Sequence, residues 1–249
     1  MTDFAGRVAV VTGGNAGIGR AVAEVLRARG AVVHVLDRDV EGPAEGVTAW
    51  RADVTDQSEV DAALAGIGDR EGRVDVLVNN AGVSFVGTVE DGGLDEWQRL
   101  YDVNVLGYVR TIRAALPLLR KGSDAAIVNV SSCTAASGLR SRVAYSATKG
   151  AIQSMTRAMA ADLVAERIRV NAVEPGTVDT PFMTALAEAA PDPAARRAQF
   201  EARQPTGRMV DPREVGEAVA YLASPWAHST VGTVLTVDGG MAALHLTEA

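Results

Sequence analysis

The sequence predicts one doubly wound α/β domain spanning residues 1–249, with a mainly parallel seven-stranded sheet and helices on both faces. Three observations predict it. Apolar runs of strand length alternate with longer stretches of helical spacing. The runs are continuously apolar, as suits strands buried on both faces. A glycine-rich turn separates the first strand from the first helix. With 249 residues, 47% of them hydrophobic, the chain is long enough for one core of this kind.

The elements follow in order. Arg7 to Thr12 reads as the first strand. Ile18 to Arg29, apolar at Ile18, Val22, Val25 and Leu26, reads as the first helix. Ala31 to Leu36 and Val47 to Ala52 are strands, and Val60, Ala63, Leu64 and Ile67 mark a helix. Val74 to Val78 is a strand, Leu94 to Leu119 mostly helix, Ala125 to Val130 a strand and Val143 to Ala165 a helix. Ile168 to Val173, Val215 to Leu222 and Val231 to Val237 complete the series as strand, helix and strand. Pro181 to Asp211 breaks the rhythm with Pro191, Pro193 and Pro205 and the pair Arg196-Arg197, and is expected to be a lid over the substrate.

Composition excludes several function classes. A net charge of −7 and 4% aromatic residues, without a basic stripe, argue against nucleic acid as a partner. His34, His228 and His245 stand far apart and Cys133 is the lone cysteine, so no metal site is expected. A single cysteine precludes an internal disulfide, which is compatible with a reducing compartment. No apolar stretch reaches the length of a membrane span, and Phe4 to Ala16 lacks the features of a signal peptide, so a cytoplasmic location is expected. The 24 basic residues are 22 arginines and only Lys121 and Lys149. A well-placed lysine is therefore more informative than a well-placed arginine.

Parallel α/β sheets bind ligands beyond the carboxyl ends of their strands, so chemistry is sought there. Gly13, Asn15, Gly17, Ile18 and Gly19 form the turn after the first strand. Their spacing differs from G-x-G-x-x-G, but the mechanism is that of a Rossmann dinucleotide site: glycine permits close backbone approach, and the helix N-terminus offers free N–H groups to pyrophosphate. Asp37 ends the second strand, where a carboxylate accepts from two ribose hydroxyls and repels a 2′-phosphate. This points to NAD, while the adjacent Arg38 could soften the preference. Asp53-Val54 and Asn79-Asn80-Ala81-Gly82 end the third and fourth strands, Asp53 facing adenine and Asn79 tying the strand end to the cofactor.

Tyr145 and Lys149 are i,i+4 neighbours on one helix. A free tyrosine titrates near pH ~10, and a nearby ammonium favours its phenolate. Lowering that pKa by ~3 units takes about 4 kcal/mol, more than a surface pair supplies, so the positive ring of an oxidised nicotinamide is expected to add to the field. Ser132 follows the strand Ala125 to Val130, and its hydroxyl can hold a substrate oxygen. Asn104 sits inside a predicted helix, where asparagine is unfavourable. Taken singly, each feature has a plainer reading as a turn, a solvated helix face or a kink.

Together, Thr12-Gly13 with Gly17 and Gly19, Asp53, Asn79-Asn80-Ala81-Gly82, Asn104, Ser132, Tyr145, Lys149, and Pro175-Gly176 with Thr180 make the chain resemble the short-chain dehydrogenase/reductase family over essentially its whole length. The resemblance implies a tetrad of Asn104, Ser132, Tyr145 and Lys149, with Lys149 also bonding the nicotinamide ribose and Asn104 supporting a proton-relaying water. It implies nicotinamide contacts from Pro175, Gly176, Val178 and Thr180, and a homotetramer.

Arg142 to Lys149, Glu174 to Pro181 and Phe200 to Arg208 further resemble a subgroup that includes cytosolic 3-hydroxybutyrate dehydrogenase and dehydrogenases of 2-keto-3-deoxy-L-fuconate and L-rhamnonate. That implies a carboxylate substrate held by Arg142 and Arg203. A third arginine of the subgroup falls at Leu186, for which Arg196 or Arg197 could substitute. Glu174, beside Pro175, would repel an acid or bind a sugar hydroxyl. The rivals are an NADPH-dependent 3-oxoacyl reductase, a neutral polyol or steroid dehydrogenase, and a silent NAD-binding subunit. A nucleotide-sugar epimerase would need a larger substrate domain.

Overall fold

A computed structural model describes residues 3–244. Seven strands form one wholly parallel sheet: β1 (Val8–Thr12), β2 (Val32–Asp37), β3 (Val47–Arg51), β4 (Val76–Asn79), β5 (Ala126–Val130), β6 (Arg169–Pro175) and β7 (Val234–Val237). Their order is β3-β2-β1-β4-β5-β6-β7, so the chain reverses direction across the sheet between β1 and β4. The clefts that bind ligands in such sheets open there, at the carboxyl edge.

The apolar strands are continuous because both faces are covered. In β1, Ala9 and Val11 pack with Val22, Val25 and Leu26 of α1 (Gly17–Ala28) and with Val215 and Val219 of α8 (Pro212–Ala223). Val8 and Val10 point the other way, into the cluster of Leu64 and Ile67 from α2 (Gln57–Glu71), Tyr108 and Ile112 from α4 (Gly107–Leu119), and Ile152 from α5 (Val143–Leu163). At about 25 cal/mol per Å² of apolar surface, this two-sided burial is the main force holding the layers.

Local chemistry sets the helix ends. Asp56 accepts from the N–H groups of Ser58 and Glu59 to start α2, and Gly72, at φ 76°, ends it. Asp211 and Glu214 form a capping box on α8. The segment expected as a lid folds into α6 (Pro181–Glu188), started by Thr180, and α7 (Pro193–Glu201), started by Asp192. A separate apolar cluster of Ala187, Phe200 and Met209, with Met183 and Leu186 against it, lies under these two helices.

The long helix expected over Leu94 to Leu119 is not uniform. It runs as α3 (Leu94–Tyr101), one π-helical turn (Asp102–Leu106) and α4. Asn104 lies in that turn. A π turn carries an extra residue and rotates the helix face, a device common at functional sites. β6 continues two residues past the expected Val173, because Glu174 and Pro175 pair with Thr236 and Val237 of β7.

Among the described residues no helix is long and apolar enough to cross a membrane, and no group of three His, Cys, Asp or Glu side chains could hold a metal. His34 is buried, between Trp50 and Glu71. His245 lies outside the described residues.

Candidate active site

The carboxyl ends of β1, β4, β5 and β6 open into one cleft of about 630 Å³. On one side lies the glycine turn. Gly13 and Gly17 both have positive φ, +60° and +52°. Thr12 Oγ1 accepts from the N–H groups of Asn80 (3.0 Å) and Ala81 (3.1 Å), and Asn80 Nδ2 donates to Gly13 O (3.0 Å). The turn is thereby stitched to the end of β4. Ala16 starts α1 without a side-chain cap, so no side chain of that residue satisfies the first N–H groups of the helix. An open helix N-terminus beside a side-chain-free turn fits a pyrophosphate.

Asp37 sits at the rim of this turn, where Oδ2 accepts from Asn15 N (3.0 Å). Asn15 Nδ2 donates onward to Asp39 O and Glu41 O. Arg38 leans towards Asp53, 3.9 Å away, while Asp53 Oδ1 accepts from Thr55 N and Oγ1. Val54 is buried, packing close to Gly107. Ile18, Ala81, Gly82, Pro175, Gly176, Val178 and Thr180 line the cleft.

Asn79 is placed differently from expectation. It is wholly buried, its Nδ2 donates to Asn129 Oδ1 (2.9 Å), and its Oδ1 accepts from Thr111 (2.6 Å). Both amide atoms brace β4 against β5 and α4, and the buried side chain does not line the cleft, so it does not reach a cofactor there. The neighbouring Asn80 faces the cleft instead, because successive residues of an extended chain point to opposite sides.

On the other side, Ser132, Tyr145 and Lys149 line the cleft together. Ser132 follows β5, and its Oγ accepts from Thr134 Oγ1 (3.1 Å). Tyr145 lies in the first turn of α5, with Lys149 one turn on and its Nζ 5.7 Å from the tyrosine ring centre. Lys149 Nζ donates to Val130 O (2.9 Å), a carbonyl that also accepts from Tyr108 (3.1 Å). Asn104 does not line the cleft. Its Oδ1 accepts from Val83 N (2.8 Å), and its Nδ2 donates to Val83 O (2.9 Å) and Thr148 Oγ1 (3.1 Å). It thus clamps the loop after β4 to α5.

Burial dominates the electrostatics of this group. It pushes the Tyr145 phenol up to about 12, with Ser132 and Arg142 pulling the other way, and it lowers Lys149 to about 8. In the protein alone, burial thus outweighs the groups that favour the phenolate.

Arg142 and Arg203 also line the cleft. Arg142 donates to Ser84 Oγ (2.8 Å), and Arg203 stacks on Phe200, 4.8 Å from its ring centre. Burial lowers the pKa of both, and each feels Arg196 as a like charge. Of the two candidates to complete the clamp, Arg197 is excluded: it pairs with Asp179 (2.6 Å) and Glu201 (3.0 Å). Arg196 stays beside Arg203, over the same ring at 4.7 Å. Leu186 belongs to the apolar cluster under the two helices.

Glu174 lies outside the cleft lining, so it neither repels nor binds a substrate directly. It is 4% exposed, accepts from Gln153 Nε2 (3.0 Å), and leaves Oε1 without a partner. Burial, then Asp238, raises its pKa. The neutral carboxyl therefore stabilises the fold fully below the ordinary carboxylate range, and that contribution is lost as pH rises through the raised value. Glu174→Gln removes the ionisation. We expect its Tm to exceed wild type at about pH 8 and the difference to vanish towards about pH 4; thermal melts across pH check this, and a constant difference would remove the assignment.

A family model described as enoyl-(acyl carrier protein) reductase matches residues 13–242. The chain belongs to the short-chain dehydrogenase/reductase family. It is 40% identical over 252 residues to the cis-4-hydroxycyclohexanecarboxylate dehydrogenase of Sinomonas cyclohexanicum, covering 97% of this chain and 98% of the relative. It is 38% identical to the L-fucose dehydrogenase of Bos taurus, covering 96% and 90%. The ligand-free aldohexose dehydrogenase of Thermoplasma acidophilum superposes with a TM-score of 0.94 at 35% identity, over 100% of this chain and 98% of that one.

As a short-chain dehydrogenase/reductase, the protein is an oxidoreductase that acts on alcohol groups with a nicotinamide cofactor. The fold gives Thr12 and Asn80 a bracing role at the turn and adds Tyr108 and Thr148, whose polar atoms brace the lysine and Asn104. Thr12 and Asn80 belong to the sequence motifs of the resemblance, but their bonding partners are set by the fold. Tyr108 carried no such signal.

Proposed function

We propose that the protein oxidises a secondary alcohol bearing a carboxylate, with NAD as hydride acceptor. The observation that carries the acid reading is the arginine pair. Arg142 and Arg203 line the cleft with no carboxylate partner among the described residues, in a chain of net charge −7. A planar guanidinium suits a carboxylate in two parallel bonds. The Sinomonas relative, named for a hydroxy acid, supports this reading. Neutral sugars are the second reading, favoured by the L-fucose dehydrogenase relative.

The residues that would hold the cofactor are Gly13, Ala16, Gly17 and Ile18 at the pyrophosphate, Asn80 to Gly82 along its length, and Pro175 to Val178 with Thr180 at the nicotinamide. When bound, oxidised nicotinamide accepts the hydride and carries a positive charge. Asp37 presents a carboxylate fixed by Asn15 at the ribose end, which supports NAD over NADP. A tenfold or larger preference for NADP in a titration would reverse that choice.

Ser132 donates to the substrate oxygen, and Tyr145 takes the hydroxyl proton at its phenolate oxygen. The carbinol hydride leaves and the C=O bond forms. Lys149 favours the phenolate and Asn104 positions the loop beside it. General base catalysis contributes about 10²–10⁴-fold, and orientation much of the rest. We expect Arg142→Ala and Arg203→Ala each to lower kcat/KM on the best acid by roughly 10–100-fold, the loss of a charged hydrogen bond. If both variants keep wild-type kcat/KM, the carboxylate reading fails. The homotetramer is part of this proposal, and sedimentation equilibrium tests it.

A further inference from the structure

The cleft is uneven in its chemistry. Among its lining residues there is no aspartate, glutamate, glutamine or histidine. Its one asparagine, Asn80, spends its amide nitrogen on Thr12 O and Gly13 O. Most of the other polar side chains are engaged: Ser131 donates to Lys149 O, Thr134 donates to Ser132, Ser84 accepts from Arg142, Arg99 is held by both oxygens of Glu96, and Thr180 caps α6. A sugar or polyol needs several acceptors and donors at fixed positions, because each buried hydroxyl left unpaired costs binding. With no carboxylate and only one carboxamide, its nitrogen already engaged, this wall supplies few of them.

It supplies apolar surface instead. Cys133, Leu139, Phe182, Met183 and Met241 all line the cleft. Cys133 Sγ touches Met241 Sδ at 3.5 Å. Met183 rests on the cluster that carries Phe200, the ring on which Arg203 stacks. Phe182, in the first turn of α6, is 61% exposed at the same cleft, although large side chains exposed at a concave site usually await a ligand.

We propose that the substrate is a carboxylate with a hydrocarbon body, an alicyclic or branched aliphatic hydroxy acid, and that Phe182 and Met183 determine specificity for that body. This rests on the carboxylate reading of Arg142 and Arg203 and adds the part of the molecule between acid and carbinol. The redox step is unchanged: the carbinol C–H passes as hydride to NAD, the hydroxyl proton goes to Tyr145, and the alcohol becomes a ketone. Soft, flexible methionines beside one aromatic ring suit a saturated ring or branched chain.

The test is NAD reduction by the full chain with three groups of probes: hydroxycyclohexanecarboxylates, their carboxamides, and sugar acids such as gluconate together with free L-fucose. The expected result is kcat/KM at least 10-fold higher for the hydroxycyclohexanecarboxylates than for any sugar acid or sugar, the size of one well-filled apolar contact. Phe182→Ser, at an exposed position outside the buried core, should shrink that ratio by roughly 10-fold. A sugar acid or L-fucose turned over better than the ring acids overturns the hydrocarbon body. Carboxamides turned over as well as the acids overturn the carboxylate reading alone. Turnover of none of these probes overturns both.

Discussion

Tyr145→Phe abolishes turnover and leaves NAD binding intact. The substitution removes one oxygen and keeps the ring, so packing in the first turn of α5 is conserved and the change in stability stays within about 1 kcal/mol. What disappears is the group that takes the substrate proton beside Ser132. The rate falls by at least the 10²–10⁴-fold of a general base, and further because the substrate oxygen loses one of its two anchors. Steady-state assays with calorimetric titration of the cofactor separate the two effects. A phenylalanine variant that turns over normally would remove Tyr145 from the mechanism.

Gly19→Ala is the second large effect, and its sign opposes helix propensity. Gly19 is the third residue of α1, where alanine would normally favour the helix by about 1 kcal/mol. A Cβ there would lie 2.1 Å from Gly13 O and 2.5 Å from Asn80 Nδ2. Both atoms belong to the stitch between the glycine turn and β4, so neither can move without breaking it. We expect a destabilisation of about 1–3 kcal/mol from the overpacking and a loss of NAD affinity of roughly 100-fold or more. Gly150→Ala is the control. Gly150 lies inside α5 with nothing within 4 Å of its added Cβ, so the same substitution should stabilise by about 0.5–1 kcal/mol. Thermal melts with and without NAD read both, and equal shifts in the two variants would show that the contact at Gly19 does not matter.

The sheet was legible because each apolar run had one job, to be buried on two faces, and β1 shows both faces filled. The glycine turn and the Tyr145–Lys149 pair were legible because their spacing is local. What escaped the sequence was decided by residues far away. The π turn at Asn104 exists with an amide that bonds Val83 on the loop after β4. Asn79 and Asn80 are identical in composition, and only the direction of the backbone at the end of β4 sends one inward and one to the cleft. Arg196 and Arg197 are neighbours in sequence, but Asp179, 18 residues earlier, neutralises one and leaves the other over Phe200. Glu174 looked like part of the substrate site because of Pro175, and the strand pairing with β7 placed it outside the cleft lining.

The ionisation of Tyr145 tests the central claim most directly. Burial pushes the phenol up to about 12 in the protein alone, and the proposed mechanism has oxidised nicotinamide, when bound, supply the positive charge that favours the phenolate. The measurement is the tyrosinate difference absorbance between wild type and Tyr145→Phe at about pH 8, with and without NAD. The account predicts a tyrosinate signal in wild type that appears only when NAD is added. An identical spectrum with and without the cofactor would contradict it.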